Sequence, residues 1–507
     1  MYQPLERITP EQAGISSRQV EQCLRSLMHD KTEMHGFMAA RHGKVFAECW
    51  WQPYGPRLVH SNHSLGKSYT ATAIGILCTR GQLDLDERII DIFADEMRQY
   101  HVQPYDKLEQ LTVRHVLKMS TGMERNPMLN DDWIGEFLKQ PIVYQPGERF
   151  LYNTSGACLL GAIVEKKAGM SLHRYLSENL FDKIGIRADE FVMLRFKNGY
   201  CAEPGTFSKT EDNLRLAMFY LNDGRWNGEQ IVSDAWMHEA MSRQISTEGN
   251  GDSPDYCSGY GYQLWLSRIP GVYRFDGGQG QFGIIWPEKD LVVALHQGGL
   301  GPDGPQITLD RVMEGLMTLV ADEPLPEDPE ALASLCAFEQ SLRVPEQAAN
   351  TLAVDPAVFS GRYAVTGGDA DADPWISVSP GTYNFFRAFF EKDKKADFTD
   401  FTLEIDEEKC VFTADGYAEF VAWFDGKYRM HYTDNPLPQV GDNCSTARYT
   451  DANTLEITTK WMHSWFENVI RFEKTDSGLA ITTVKDRLQA GPMRYSIHHA
   501  AAVKQTV

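Results

Sequence analysis

The 507-residue sequence predicts an α+β protein in which a mixed helix-and-strand unit is followed by a smaller antiparallel β unit. Three observations lead there. The length exceeds what one hydrophobic core organises, since single cores give out near ~250–300 residues. The first two-thirds mixes helical and strand periodicities, and beyond about residue 355 the chain reads as short alternating strands alone. Between them "DEPLPED", residues 322–328, has the proline-rich, acidic character of a linker. These observations divide the chain into 1–325, a linker with a helix at 326–354, and 355–507.

In chain order, "HGFMAARHGKVFAECW" reads as two strands about an Arg-His-Gly-Lys turn. Residues 64–80 carry Ala71, Ile74, Leu77 and Cys78 on one helical face and stop near Gly81. "LDLDERIIDIF" predicts a turn and a short helix. Residues 112–122 predict a helix ending at Gly122, and 155–169 an apolar, central one. Further helices are expected at 212–222, 233–243 and 305–321, with an antiparallel meander over 260–298. A helix near 329–343 carries Leu332, Leu335 and Leu342. After it, "WISVSP", "DFTLEID", "CVFTA", "EFVAWF", "YRMHYT", "LEITTKW", "NVIRFEK" and "LAITTVK" predict a barrel or sandwich.

The net charge of −21 argues against a nucleic-acid partner, because phosphate binding needs concentrated Lys and Arg. No stretch approaches the ~20 apolar residues of a membrane span. The N-terminus lacks a basic segment followed by an apolar run, so the expected location is cytoplasmic. Nine scattered cysteines, without CxxC or zinc-like spacing, read as mostly buried free thiols, and no metal or other cofactor is expected.

The chemistry centres on "SNHSLGKSYT", where Lys67 follows Ser64 by three residues. Ser64 falls at a helix N-terminus, where backbone amides and the helix dipole favour developing negative charge. Lys67 lies one turn on, and if desolvated can lose its proton near neutral pH and serve the serine as base. Taken alone, the commoner reading of the pattern is an N-cap and a surface lysine. Tyr152, after a Pro-Gly turn and before an apolar helix, can serve as second base and acid. The glycines of "YRFDGGQGQFGIIWP" let a substrate lie along an edge strand and offer an amide for an oxyanion hole, its partner amide coming from Ser64. His63 and His115 read as structural, Trp50, Trp51 and Tyr54 as core, and "EKDKKADF" as a solvated loop.

Together these segments resemble the penicillin-recognising serine hydrolases: class C β-lactamases, D,D-peptidases, D-aminopeptidases and related esterases. "HSLGKSYTATAIGILCTRGQLDLDERI" is similar to the family's serine-bearing helix and the turn after it. "LTVRHVLKMSTGM" looks like its His-Leu-Leu-x-x-Thr-Ser-Gly segment, "PGERFLYNTSGACLLGAIVEKKAGMSL" like its Tyr-x-Asn region, and "FDGGQGQFGIIWPEKDLVVAL" like its third-motif strand. The resemblance covers roughly residues 5–320. It implies a β-lactamase/transpeptidase-like domain, an antiparallel sheet flanked by helices plus a helical region. It also implies Ser64 as nucleophile, Lys67 as proton acceptor and Tyr152 as second base and acid. Two departures stand out: Thr154 replaces the Asn of Tyr-x-Asn, and Asp276-Gly277-Gly278 fills the third motif where Lys, His or Trp is usual. An aspartate there would repel an anionic β-lactam. The expectation is therefore a hydrolase of a small-molecule ester or amide acting through a Ser64 acyl-enzyme, with Thr154, Asp276, Gly277 and Gly278 in the substrate and oxyanion region. An acyltransferase using the same intermediate and a low-turnover β-lactam-binding sensor are the alternatives. In some relatives a C-terminal barrel restricts access or mediates contacts in a homo-oligomer.

Overall fold

The computed structural model describes residues 3–127, 129–130, 132–299, 303–368, 376–377, 397–398, 400–414, 418–433, 441–484 and 497–505. Its central sheet is six-stranded and antiparallel, in the order Lys44–Trp50, Thr32–Arg41, Leu291–Gly299, Gln281–Trp286, Tyr273–Gly277, Trp265–Leu266. The N-terminal hairpin thus joins the 265–299 segment through the pairing of Thr32–Arg41 with Leu291–Gly299. Both strands are buried along their whole length, because helices cover both faces of the sheet. Thr210–Leu221 and the helical region built on Gly66–Thr79 and Thr154–Ala168 share one apolar core with it. On the other face lie Ser17–Leu27, Gly304–Gly315 and Pro329–Ser341, the last anchored by Leu335.

Local chemistry explains the element ends. The side chain of Ser16 caps Ser17–Leu27 in a reciprocal capping box with Gln19. Gly169, at φ 68°, terminates Thr154–Ala168 as an αL cap. The helix expected over 112–122 is shorter, Val113–Leu117, because the chain turns at Lys118 and Met119 takes a positive φ of 55°. Of the meander expected over 260–298, the first run contributes only Trp265–Leu266, and the stretch before it is irregular.

The C-terminal unit is a closed nine-stranded barrel, which decides between barrel and sandwich. Eight antiparallel neighbours run from Ala418–Trp423 round to Asn443–Asp451, and parallel pairing of Ala422 with Ser445 and Trp423 with Thr446 closes the ring. Closure removes the open edges that a sandwich would leave. Lys409–Ala414 and Gly478–Val484 alternate buried and half-buried positions, as barrel strands should. Thr454–Trp461 is buried at every position: Lys460 reaches Glu33 of the first unit, and Arg448 and Arg471 on the flanking strands cover Glu456. Of "YRMHYT" only Met430–His431 is strand. Most of "WISVSP" and "EKDKKADF" lies outside the described residues. All nine cysteines are free thiols, six of them buried. Among the described residues no helix is long and apolar enough to cross a membrane.

Candidate active site

A short strand, His60–Ser61, pairs with the buried strand Cys201–Ser208 and carries the chain up to Ser64. The Asn62 amide donates to the Thr206 carbonyl at 2.9 Å, and the chain then makes one 3₁₀ turn, His63–Leu65, before Gly66–Thr79. A side chain at Gly66 would collide with Thr206 and the Glu203 carbonyl, so glycine lets this helix start press onto the strand. Ser64 sits half-buried at that start. Lys67, 1 % exposed, donates through Nζ to Ser64 Oγ at 2.9 Å.

The same ammonium faces a buried carboxylate. Glu203 Oε1 and Oε2 lie 3.3 and 3.1 Å from Lys67 Nζ. Burial pushes Glu203 up to about 7 despite the lysine. Burial by itself would push Lys67 down, but Glu203 and then Tyr152 outweigh it and hold the ammonium above the ordinary lysine value. The sequence leaves room for a desolvated Lys67 that can lose its proton near neutral pH; in the fold Glu203 favours the ammonium.

Tyr152 completes the cluster. Its ring centroid lies 5.2 Å from Lys67 Nζ. Burial raises the phenol above its ordinary value even though Lys67 and Ser64 pull it down, so Tyr152 is protonated at neutral pH. The ring is held by a stack on Trp265, centroids 5.8 Å apart, with Phe150 and Tyr260 around it. The next residue, Asn153, is fully buried and caps Thr154–Ala168 by accepting from the Gly156 amide at 2.8 Å. Thr154 is the first residue of that helix and half-buried.

The third-motif strand packs directly against this turn. Along the third-motif strand Trp265–Leu266 pairs no farther than Arg274, which leaves Phe275–Gly277 on the open side of the sheet. A Cβ on Gly277 would stand far inside contact with the Asn62 carbonyl oxygen, whereas Gly278 faces open space. Asp276 is not the bare charge the sequence suggested. It is buried, bonded to Arg274 Nε at 2.8 Å, and accepts from the Tyr256 hydroxyl at 3.3 Å. With its charge matched, the electrostatic argument against anionic substrates loses its force.

The barrel reaches the same place. The Ser61 amide donates to the His463 carbonyl at 2.8 Å, and the His463 ring bonds the Val59 carbonyl at 2.7 Å. The Trp465 ring packs on His63 with centroids 4.0 Å apart. Burial, reinforced by the Lys67 charge, pushes His63 down to about 3, so the ring is neutral. His115 bonds the Thr112 hydroxyl in a capping box, and Trp51 and Tyr54 are core.

Sequence reasoning brought Ser64, Lys67, Tyr152 and the glycine strand together, and the structure places them around one turn. It missed Glu203, Trp265, Arg274 and Trp465. Only Glu203 carried a usable signal, as the single acidic residue in "CAEPGTFS", a strand otherwise of small and apolar groups. Trp265 and Trp465 act from segments distant in sequence, and Arg274, two positions before Asp276, shows its pairing only in the fold.

A helix-flanked antiparallel sheet with Ser-x-x-Lys at a buried helix start and a tyrosine over it is the arrangement that the resemblance to the penicillin-recognising serine hydrolases leads one to expect. The profile of the family described as Beta-lactamase matches residues 20–315, more than half of the chain, and the protein belongs to that family. It is similar to penicillin-binding protein 4 of Amycolatopsis lactamdurans, 26% identical over 283 residues, covering 48% of this chain and 72% of that one. It is also similar to penicillin-binding protein 4* of Bacillus subtilis strain 168, 23% identical over 353 residues and covering 61% and 72%. The octameric penicillin-binding protein homologue from Pyrococcus abyssi aligns over 94% of this chain and 98% of its own, at 16% identity and a TM-score of 0.45.

Proposed function

We propose that the protein is a serine hydrolase that cleaves a small-molecule ester or amide through an acyl-enzyme on Ser64. The observation that carries this reading is the buried Lys67 ammonium 2.9 Å from the Ser64 hydroxyl at a helix start, beneath Tyr152. Ser64 attacks the acyl carbon as its O–H proton leaves through Lys67, which later returns it. The oxyanion forms where the Ser64 amide and the Gly277–Gly278 backbone converge, each donor worth about 2.7–4 kcal/mol of barrier in acyl transfer. Tyr152, protonated at rest, gives its proton to the leaving alcohol or amine. The phenolate left behind, steadied by Lys67, takes a proton from the incoming water, and Ser64 recovers its proton as the acyl group departs. Thr154 borders the acyl group, and Asp276 shapes the third-motif strand through Arg274.

The test is covalent labelling with a fluorophosphonate, followed by turnover of p-nitrophenyl esters, D- and L-aminoacyl anilides and nitrocefin. Ser64 is expected to label and Ser64→Ala to be inert. A wild-type protein that takes no label at Ser64 overturns the reading. Product analysis with added alcohols or amines distinguishes hydrolysis from acyl transfer.

A further inference from the structure

Glu203 is a fully buried carboxylate directed at the ammonium that contacts Ser64. Its Oε1 is bonded by Lys67 Nζ, while Oε2, 3.1 Å from the same nitrogen, lies off the hydrogen-bonding direction and is unsatisfied among the described residues. An under-bonded buried carboxylate oxygen is costly as it stands, and a proton on the carboxylate would relieve that cost. Its ionisable neighbours are Lys67, Tyr152, Tyr260 and Cys158. Burial raises Tyr152, Tyr260 and Cys158, so all three stay neutral and none competes for a proton. Lys67 Nζ therefore bridges two oxygens, Ser64 Oγ at 2.9 Å and the Glu203 carboxylate.

Resting on the Ser64 acyl-enzyme reading, we propose that Glu203 receives, through Lys67, the proton that Ser64 releases as it attacks. Lys67 passes one N–H proton along its hydrogen bond to Glu203 Oε1 and takes the Ser64 O–H proton in its place. The electron pair of that O–H bond becomes the new Ser64–carbon bond. Lys67 ends as it began, an ammonium, and the carboxylate has become a carboxylic acid. In deacylation the Tyr152 phenolate takes its proton from water, and the Glu203 proton returns by way of Lys67 to the Ser64 oxygen as the acyl group departs. Glu203 touches no reacting atom, so it is a positioning residue that sets the protonation state of Lys67. The arrangement accounts for a lysine that can serve as base although a carboxylate holds its charge in place.

The experiment compares fluorophosphonate labelling rates at Ser64 for the full-length wild type, Glu203→Gln and Glu203→Asp across roughly pH 5 to 9, with thermal melts as a folding control. The wild-type rate is expected to rise with pH through about 7, as Glu203 loses its resting proton and becomes able to accept one. Glu203→Gln keeps the shape and an acceptor oxygen but cannot take a proton. It is expected to label about 100-fold more slowly at neutral pH, without that rise, as general-base losses run. Glu203→Asp restores the rise at a reduced rate, and it carries the comparison alone should the glutamine variant not fold. A Glu203→Gln protein that labels at the wild-type rate or faster, or that keeps the rise, overturns the proposal, as does a Glu203→Asp protein without the rise. Glu203 would then only pin Lys67. A wild type that does not label overturns the acyl-enzyme reading itself, and the two failures are thereby distinguished.

Discussion

Lys460→Met is the substitution whose effect can be worked furthest. Lys460, on the barrel strand Thr454–Trp461, places Nζ 2.9 and 2.8 Å from the two carboxylate oxygens of Glu33 and 3.0 Å from Glu467. Glu33 belongs to the central sheet, so this buried triad joins the two units. Removing the cation takes the ammonium from both buried carboxylates; among the described residues Glu33 keeps its contact with His35 at 3.3 Å. Breaking a buried pair by deleting one partner costs about 3–5 kcal/mol. At about 2–4 °C per kcal/mol for a unit of this size, the melting temperature should fall by roughly 6–20 °C. The assay is scanning calorimetry of the full chain, with Lys460→Met/Glu33→Gln/Glu467→Gln alongside. The triple variant should recover most of the loss, because it leaves no uncompensated charge. The pH dependence has a definite sign. Burial opposes ionisation of Glu33, but Lys460 and His35 prevail and hold it down at about 2. The contribution of Glu33 is thus fully present above the unfolded value of ~4.3 and lost as pH falls toward about 2. Lys460 is held well above its ordinary value, so its contribution survives up to at least ~10. The gap between wild type and variant should stay constant at neutral pH and narrow only in acid. A melting point within about 2 °C of wild type, against the cost expected for a buried charge, would refute the claim that this triad fastens the barrel.

Three further outcomes are expected. Gly277→Ala puts a methyl against the Asn62 carbonyl two residues before Ser64, and should cost about 1–3 kcal/mol of overpacking and slow labelling of Ser64, while Gly278→Ala, facing open space, should match wild type in its melt. Asp276→Asn strands the buried Arg274 guanidinium and should lower stability by about 3–5 kcal/mol by thermal melt, with Arg274→Met/Asp276→Asn recovering much of it. Trp465→Ala deletes the barrel ring on His63 and should cost about 3–5 kcal/mol and slow fluorophosphonate labelling several-fold; labelling at the wild-type rate would show that the barrel does not influence Ser64.

The helices that frame the site were legible because their periodicity and end signals are local. Thr154–Ala168, closed by Gly169, and Thr210–Leu221 lie within two residues of where the sequence puts them. The 112–122 segment was overextended because its apolar spacing continues past Lys118, where the chain turns away. Ser64, Lys67 and Tyr152 were legible because their residue types and spacing carry chemistry in themselves. Asp276 misled because a residue's charge is visible in the sequence and its partner is not. Arg274, two positions earlier on the same strand, reaches Asp276 only through the side-chain path the fold imposes.

By itself the sequence determined the two-unit organisation, the all-strand character of the C-terminal part and a serine with its lysine at a helix start. These follow from periodicity, turn chemistry and i,i+3 spacing, which act over a few residues. Only the tertiary structure decided the protonation state of that lysine, because Glu203 lies 136 positions away and meets it through the pairing of His60–Ser61 with Cys201–Ser208. Only the tertiary structure, too, brought Trp465 to His63 and Lys460 to Glu33. The physical reason is common to all three: the energy of a buried charge or ring is set by what surrounds it in space.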